Sequence, residues 1–236
     1  MRRILFSPSI CTGGYGDVIE TMQWLESKNV DRIHIDIMDG LYVKPIMGGV
    51  DYVNMIRANT KLPVELHFMT RDPERFLAMY GVQQGEIVYI HADTTLHPHR
   101  LLQTIRAKGA EPGCVISVND EPVDFEELFT ECAHLMLMGV RPGFPGSAFN
   151  ESVFWKIECI RRICEEQSLR IPVQIDGSVS PDNIQRLIAA GFDCAVLGYP
   201  GCFDPVMGRE HTIDLMMRLA EEFPEECSAV QEVNID

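Results

Sequence analysis

Short apolar runs alternate with longer amphipathic stretches along most of the chain. The runs at 4–6, 32–38, 64–69, 87–91, 114–118, 135–140, 173–175 and 195–197 have the length and residue types of buried strands. After each of them apolar positions recur at helical spacing, near 17–27, 52–59, 73–80, 98–108, 124–130, 152–166, 181–190 and 213–222. The seventh helix is the best punctuated, with Ser180 as N-cap, Pro181 at the first helical position and Gly191 just past its end. Eight strand and helix pairs in about 220 residues predict a single (β/α)8 barrel, an α/β fold of the TIM type. An open doubly wound sheet is the structural alternative. The expected catalytic domain spans 1–223. An acidic tail is expected over 224–236, because no Lys or Arg follows Arg218 while Glu225, Glu226, Glu232 and Asp236 are acidic.

The polar residues inside the apolar runs carry the chemistry. Strand alternation over 33–40 places His34, Asp36 and Met38 on one face and Ile33, Ile35 and Ile37 on the other. In a barrel the isoleucines pack under the helices, and His34 and Asp36 point inward near the C-terminal strand end, where such barrels hold their active sites. The third run repeats the pattern, with Glu65, His67 and Met69 opposite Val64, Leu66 and Phe68, and the seventh ends in Asp176. An inward carboxylate without a partner is costly. Two His and two Asp from three strand ends form a four-ligand set for one divalent ion, and the imidazoles favour Zn, Fe, Mn or Co over Mg. Glycine-rich turns follow the late strands: 141–147 contains Gly143, Phe144 and Gly146, 176–178 contains Gly177 and Ser178, and 197–201 contains Gly198 and Tyr199. Glycine lets backbone N–H groups approach an anion, and the turns after strands seven and eight are the usual phosphate site of a barrel.

Composition narrows the partners. The 236 residues include 20 Lys+Arg and 35 Asp+Glu, a net charge of −15, which disfavours nucleic acid and anionic membranes. At 46% hydrophobic and 23% charged residues the chain has the balance of a globular enzyme. No apolar stretch reaches the roughly 18 residues of a membrane span, and the first residues lack a signal-peptide core, so a cytoplasmic location is expected. The eight cysteines are scattered without a Cys-x-x-Cys, which predicts reduced structural thiols.

These residues also carry a family likeness. Ser7-Pro8-Ser9, His34-x-Asp36-x-Met38-Asp39-Gly40, His67-x-Met69, His91-x-Asp93, Val118-Asn119, Met138-x-Val140-x-Pro142-Gly143-Phe144-x-Gly146 and Asp176-Gly177 occur in one order from Phe6 to about Phe203. In this the chain resembles the ribulose-phosphate 3-epimerase family, which includes allulose-6-phosphate 3-epimerases. The resemblance implies metal ligands His34, Asp36, His67 and Asp176, with Asp36 and Asp176 also the acid and base. It implies substrate contacts from Ser9, His67, Met38, Met69, Met138, Gly143, Phe144, Gly146, Gly177, Ser178, Gly198 and Tyr199. It further implies one divalent ion and no organic cofactor, a small sugar phosphate as substrate, and a homo-oligomer, dimer or hexamer.

The chain departs from the pattern at its phosphate end. Leu41 stands where the best-known members carry His, Val43-Lys44-Pro45 replaces Val-Pro-Asn, and Arg141 and Ser147 flank Pro-Gly-Phe in unusual form. Gly198-Tyr199-Pro200 replaces a Gly-Ser or Gly-Thr-Ser, losing a hydroxyl and a backbone donor. Lys44 or Arg141 is then the candidate cation for the phosphate. The expected function is metal-dependent 3-epimerisation of a ketose phosphate through a cis-enediolate. The rivals are another phosphate-binding barrel lyase or isomerase, whose Asp-x-Lys-x-x-Asp strand motif is missing here, and a non-catalytic sugar-binding barrel.

Overall fold

The computed structural model describes residues 3–14, 16–144 and 146–222, so the expected acidic tail lies outside the described residues. Nine strands form one sheet: β1 (Leu5–Pro8), β2 (Ile33–Asp39), β3 (Ile46–Met47), β4 (Val64–Met69), β5 (Ile87–His91), β6 (Glu111–Ile116), β7 (His134–Met138), β8 (Val173–Asp176) and β9 (Cys194–Leu197). Their order is β1-β9-β8-β7-β6-β5-β4-β2-β3, and every pair is parallel except the short β2–β3 hairpin. A parallel bridge between Ser9 and His34 brings the β1 side back to β2 and closes the ring. The eight parallel strands thus make a (β/α)8 barrel. Around it lie α1 (Val18–Ser27), α2 (Val50–Asn59), α3 (Pro73–Tyr80), α4 (Pro98–Ala107), α5 (Ser152–Glu166), α6 (Ile184–Ala190) and α7 (Arg209–Glu221).

Strand alternation sorts the apolar side chains into two layers. Ile33, Ile35, Ile37, Leu66 and Phe68 face outward into the large cluster under the helices. Ile87, Tyr89, Val115, Met136, Met138 and Val196 fill the barrel interior. Residues that share the inward faces of β2 and β4 fall on neighbouring register positions, with Asp36 opposite His67 and His34 opposite Glu65.

Several local expectations differ from the structure, the last helix among them, which starts at Arg209 ahead of the expected 213. Strand β6 starts at Glu111, ahead of the expected 114, although Pro112 and Gly113 weaken a strand pattern. The glycine is required there, since a Cβ on Gly113 would stand 2.3 Å from the Tyr89 ring that fills the barrel. The fifth helical stretch is a 3-10 helix, Pro122–Glu131. At about 2.0 Å rise per residue it covers more distance than the roughly 1.5 Å of an α-helix, enough for a short connection to run back along the barrel. The seventh helix begins at Ile184, after a turn over 181–183 that Ser180 opens: its carbonyl accepts the Ile184 N–H at 3.1 Å and its N–H donates to Asn183 Oδ1 at 2.9 Å, while the Asn183 amide donates to the Ser178 carbonyl at 2.9 Å. Gly191 does close that helix in the left-handed region at φ 89°. Finally, the two-residue β3 is too short to leave a periodic signal.

The β2–β3 hairpin is pinned by Gly48. Its φ is +72°, and a Cβ there would lie 2.2 Å from the Asp36 carbonyl oxygen. Gly48→Ala is therefore expected to destabilise the fold by at least about 1–3 kcal/mol from backbone strain alone. Thermal denaturation checks this, at about 2–4 °C of melting temperature per kcal/mol in a chain of this size.

Candidate metal and active site

Inward-facing residues of β2, β4 and β8 converge at the C-terminal end of the barrel. One ligand atom each from His34, Asp36, His67 and Asp176 lies within 4.8 Å of the others. His34 Nε2 is 3.3 Å from Asp36 Oδ1 and 4.0 Å from Asp176 Oδ2. His67 Nδ1 is 3.4 Å from Asp36 Oδ1 and 3.2 Å from Asp176 Oδ2. Both rings are fully buried, whereas the two aspartates reach the floor of an open cleft. The set fits a divalent transition ion: it offers two imidazoles and two carboxylates, and His67 Nδ1 is a buried nitrogen that faces both carboxylates without a well-formed hydrogen bond among the described residues.

The four side chains also bias one another's charges. Burial opposes ionisation of Asp36, but the charges and close polar contacts of His34 and His67 outweigh it and hold its carboxyl well below the usual range. Burial likewise opposes a charged His34, yet Asp36 and Glu65 raise its proton affinity well above the ordinary imidazole value. His67 is also raised against burial, by Asp176 and Asp36.

Beneath the cluster Glu65 orients His34. It is fully buried, and its Oε1 lies 2.7 Å from His34 Nδ1 while accepting from the Ser7 hydroxyl at 2.7 Å and the Gln174 amide at 2.5 Å. Tyr89 in turn donates to Gln174 Oε1 at 2.9 Å. An ionised carboxylate only accepts, so His34 donates through Nδ1, and its neutral form turns a bare Nε2 to the cluster. Burial raises the Glu65 carboxyl, but the His34 and Ser7 hydrogen bonds and Arg32 bring it below its ordinary value. Above the cluster the Ser9 hydroxyl donates to Asp36 Oδ2 at 2.6 Å.

A cleft opens over the two aspartates. Its walls include Ser9, Met38, Met69 and Met138 near the floor, with Gly143, Phe144, Gly146, Gly177, Ser178, Gly198 and Tyr199 toward the mouth. Of the expected substrate contacts, only His67 is absent from this wall; it is buried beside the carboxylates. Arg141 lines the cleft, while Lys44 is exposed outside it, which leaves Arg141 as the available cation.

The sequence pattern of the ribulose-phosphate 3-epimerase family matches residues 5–200. The chain belongs to this family. It is 31% identical over 200 residues to the ribulose-phosphate 3-epimerase of Synechocystis, covering 84% of this chain and 86% of that protein. It is 32% identical over 197 residues to the chloroplastic ribulose-5-phosphate-3-epimerase of Arabidopsis thaliana, covering 83% and 70% respectively. As a member of the ribulose-phosphate 3-epimerase family the protein is an epimerase, an enzyme of the isomerase class. In fold it is also similar to the tryptophan synthase α chain of Legionella pneumophila, with a TM-score of 0.64 at 14% identity over 95% of this chain and 94% of that one.

Set against the epimerase family pattern, all four expected ligands converge, and the departures at Arg141 and Tyr199 meet at the cleft mouth. Sequence reasoning assigned no role to Glu65, Gln174 or Ser7. The signal for Glu65 was present, since a carboxylate two residues before His67 on an inward strand face must find a partner. Gln174 shares the inward face of β8 with Asp176 and could have been found the same way.

Proposed function

We propose that the protein is a metal-dependent 3-epimerase of a ketose phosphate of the ribulose 5-phosphate or allulose 6-phosphate type. The observation that carries this reading is the pair of aspartates, Asp36 and Asp176, held within 4.8 Å of one another by two strand ends at the floor of the cleft. Inverting C3 of a 2-ketose requires a base that takes the C3 proton and an acid that returns one from the opposite face. One aspartate, ionised, accepts the C3 proton as the C–H electron pair becomes the C2–C3 double bond of a cis-enediolate. The other, protonated, donates to C3 on the far side as the C2 carbonyl re-forms. The roles exchange with the direction of reaction. A divalent ion held by His34, Asp36, His67 and Asp176 supplies Lewis acidity for the oxygens at C2 and C3. Ser9 keeps Asp36 oriented through its hydrogen bond, and Met38, Met69 and Met138 give the reacting carbons apolar walls.

Gly143, Gly146, Gly177 and Gly198 line the far end of the cleft, where their N–H groups suit a terminal phosphate. Arg141 adds a guanidinium fork in place of the lost hydroxyl, and the Tyr199 ring narrows the space. This supports a phosphorylated substrate other than ribulose 5-phosphate as the preferred one. A cytoplasmic setting agrees with seven described cysteines that are all free.

The test is incubation in D2O with ribulose 5-phosphate, allulose 6-phosphate, a tetrulose phosphate and the corresponding free sugars, reading deuterium at C3 by NMR and then comparing kcat/KM. Deuterium at C3 is the expected result, with free sugars much slower. Equal rates on free sugars would remove the phosphate from the reading. A clear preference for ribulose 5-phosphate would remove the claim of a reshaped site.

A further inference from the structure

The His91-x-Asp93 motif lies at the end of β5 and plays no part in the reaction as derived. Its surroundings give it one. His67 turns Nδ1 toward the carboxylates and Nε2 toward His91, whose own Nε2 is 2.9 Å away. The two rings stack, with centroids 5.1 Å apart and planes 19° apart. Two ring nitrogens at that distance share one proton, so one donates and the other accepts.

The rest of the chain of bonds decides which. His91 Nδ1 is 3.1 Å from both the Tyr42 hydroxyl and the Ser117 hydroxyl, and Tyr42 donates to the Asp93 carboxylate at 3.3 Å. With the Asp93 carboxylate ionised, Tyr42 donates to it and its oxygen accepts from His91 Nδ1–H, with the Ser117 hydroxyl as a second acceptor at that nitrogen. His91 is 1% exposed, and its ring nitrogens meet His67, Tyr42 and Ser117 and no carboxylate among the described residues. As a neutral ring that donates through Nδ1, it accepts at Nε2. His67 must then donate from Nε2, which leaves Nδ1 bare.

We propose that Asp93, Tyr42 and His91 form a one-way hydrogen-bond relay that fixes the proton of His67 on Nε2 and keeps its Nδ1 open toward the metal position. This rests on reading His67 as a ligand. His67 Nδ1 faces carboxylate oxygens at 3.2 and 3.4 Å without a well-formed hydrogen bond among the described residues, which is the position an ion would take. Without the relay a neutral His67 gains by placing its proton on Nδ1, against Asp176 and Asp36, and so blocks its own lone pair. Glu65 does the same service for His34 by direct contact. A further carboxylate touching His67 would add a negative charge beside Asp36 and Asp176, whereas His91 and Tyr42 carry the direction inward and leave the charge of Asp93 near the surface. Asp93, Tyr42 and His91 are positioning residues, since none is placed against the substrate.

The experiment combines protein carrying 15N in its histidine side chains with Zn2+ affinities from competition with a chromophoric chelator. In the wild type, the proton between the two rings is expected to show its one-bond coupling to His67 Nε2 and a weaker coupling across the hydrogen bond to His91. One-bond coupling to His91 Nε2 overturns the relay. His91→Leu, which removes the acceptor, is expected to weaken Zn2+ binding about 10–100-fold. His91→Gln, whose carbonyl accepts from His67 while its amide donates onward, is expected to restore most of that affinity. Tyr42→Phe is expected to lose less than His91→Leu, because Ser117 can still accept from His91. Unchanged Zn2+ affinity in a folded His91→Leu also overturns the proposal. If His91→Leu does not fold, the wild-type coupling decides alone. If the wild type binds no Zn2+, the metal reading falls, and the position of the shared proton still decides the relay.

Discussion

Asp36→Asn and Asp176→Asn are each expected to abolish epimerisation while leaving the barrel folded. A general acid or base is worth about 10²–10⁴ in rate, and each variant also loses an anionic ligand, so the fall should exceed that range. Folding should survive because asparagine keeps the shape of aspartate, and its amide can donate to the imidazole nitrogens that face Asp36 and Asp176 at 3.2–4.0 Å. Turnover of the preferred ketose phosphate, metal content and thermal denaturation measured on the same preparations separate chemistry from folding. Deuterium exchange adds a sharper readout. If each aspartate serves one hand of C3, an Asn variant that still binds metal should wash the C3 proton out of one epimer without converting it, and the two variants should do so for opposite epimers. A variant that keeps more than about a tenth of wild-type turnover with metal bound would show that the two-carboxylate assignment is wrong.

The part of this site that could be read from the chain is the part imposed by strand periodicity. His34, Asp36 and His67 are visible because a period of two puts them on the face opposite Ile33, Ile35, Leu66 and Phe68, and the parallel register then sets Asp36 beside His67. Asp176 is visible as the polar end of an apolar strand. What periodicity does not encode is contact across the barrel or between loops. Gln174 reaches Glu65 from 109 positions away. Tyr42 reaches His91 and Asp93 only because the β2–β3 hairpin folds over the barrel mouth, where Asp39 accepts from the N–H groups of Leu41, Tyr42 and Arg71. A two-residue strand gives no pattern from which to predict that hairpin. The start of α6 differs by a turn: Ser180 and Pro181 carry the residue types of a helix start, and the Ser180 carbonyl does accept the Ile184 N–H, but the regular helix runs only from Ile184.

Removal of the metal should silence the enzyme without unfolding it. In the ion-free site the raised proton affinities of His34 and His67 allow imidazolium to offset the carboxylates of Asp36 and Asp176, so the cluster is not left as two bare anions in a buried setting. The same fact sets the sign of the pH dependence. A ligand imidazole must be neutral, so an incoming ion displaces protons that these histidines hold to higher pH than usual. Metal affinity is therefore expected to rise with pH, and binding should release protons, as calorimetry in buffers of different ionisation enthalpy would detect. An ion present at 100 times its dissociation constant stabilises the folded state by about 2.7 kcal/mol, or roughly 5–11 °C in melting temperature for a chain of this size. Dialysis against a strong chelator should remove that increment together with all activity, and Zn2+, Fe2+, Mn2+ or Co2+ should restore both better than Mg2+, because the two imidazoles disfavour a hard ion that prefers oxygen. Full activity in protein shown by elemental analysis to be metal-free would contradict the assignment of all four residues as ligands, and the buried His67 Nδ1 would then need a different explanation.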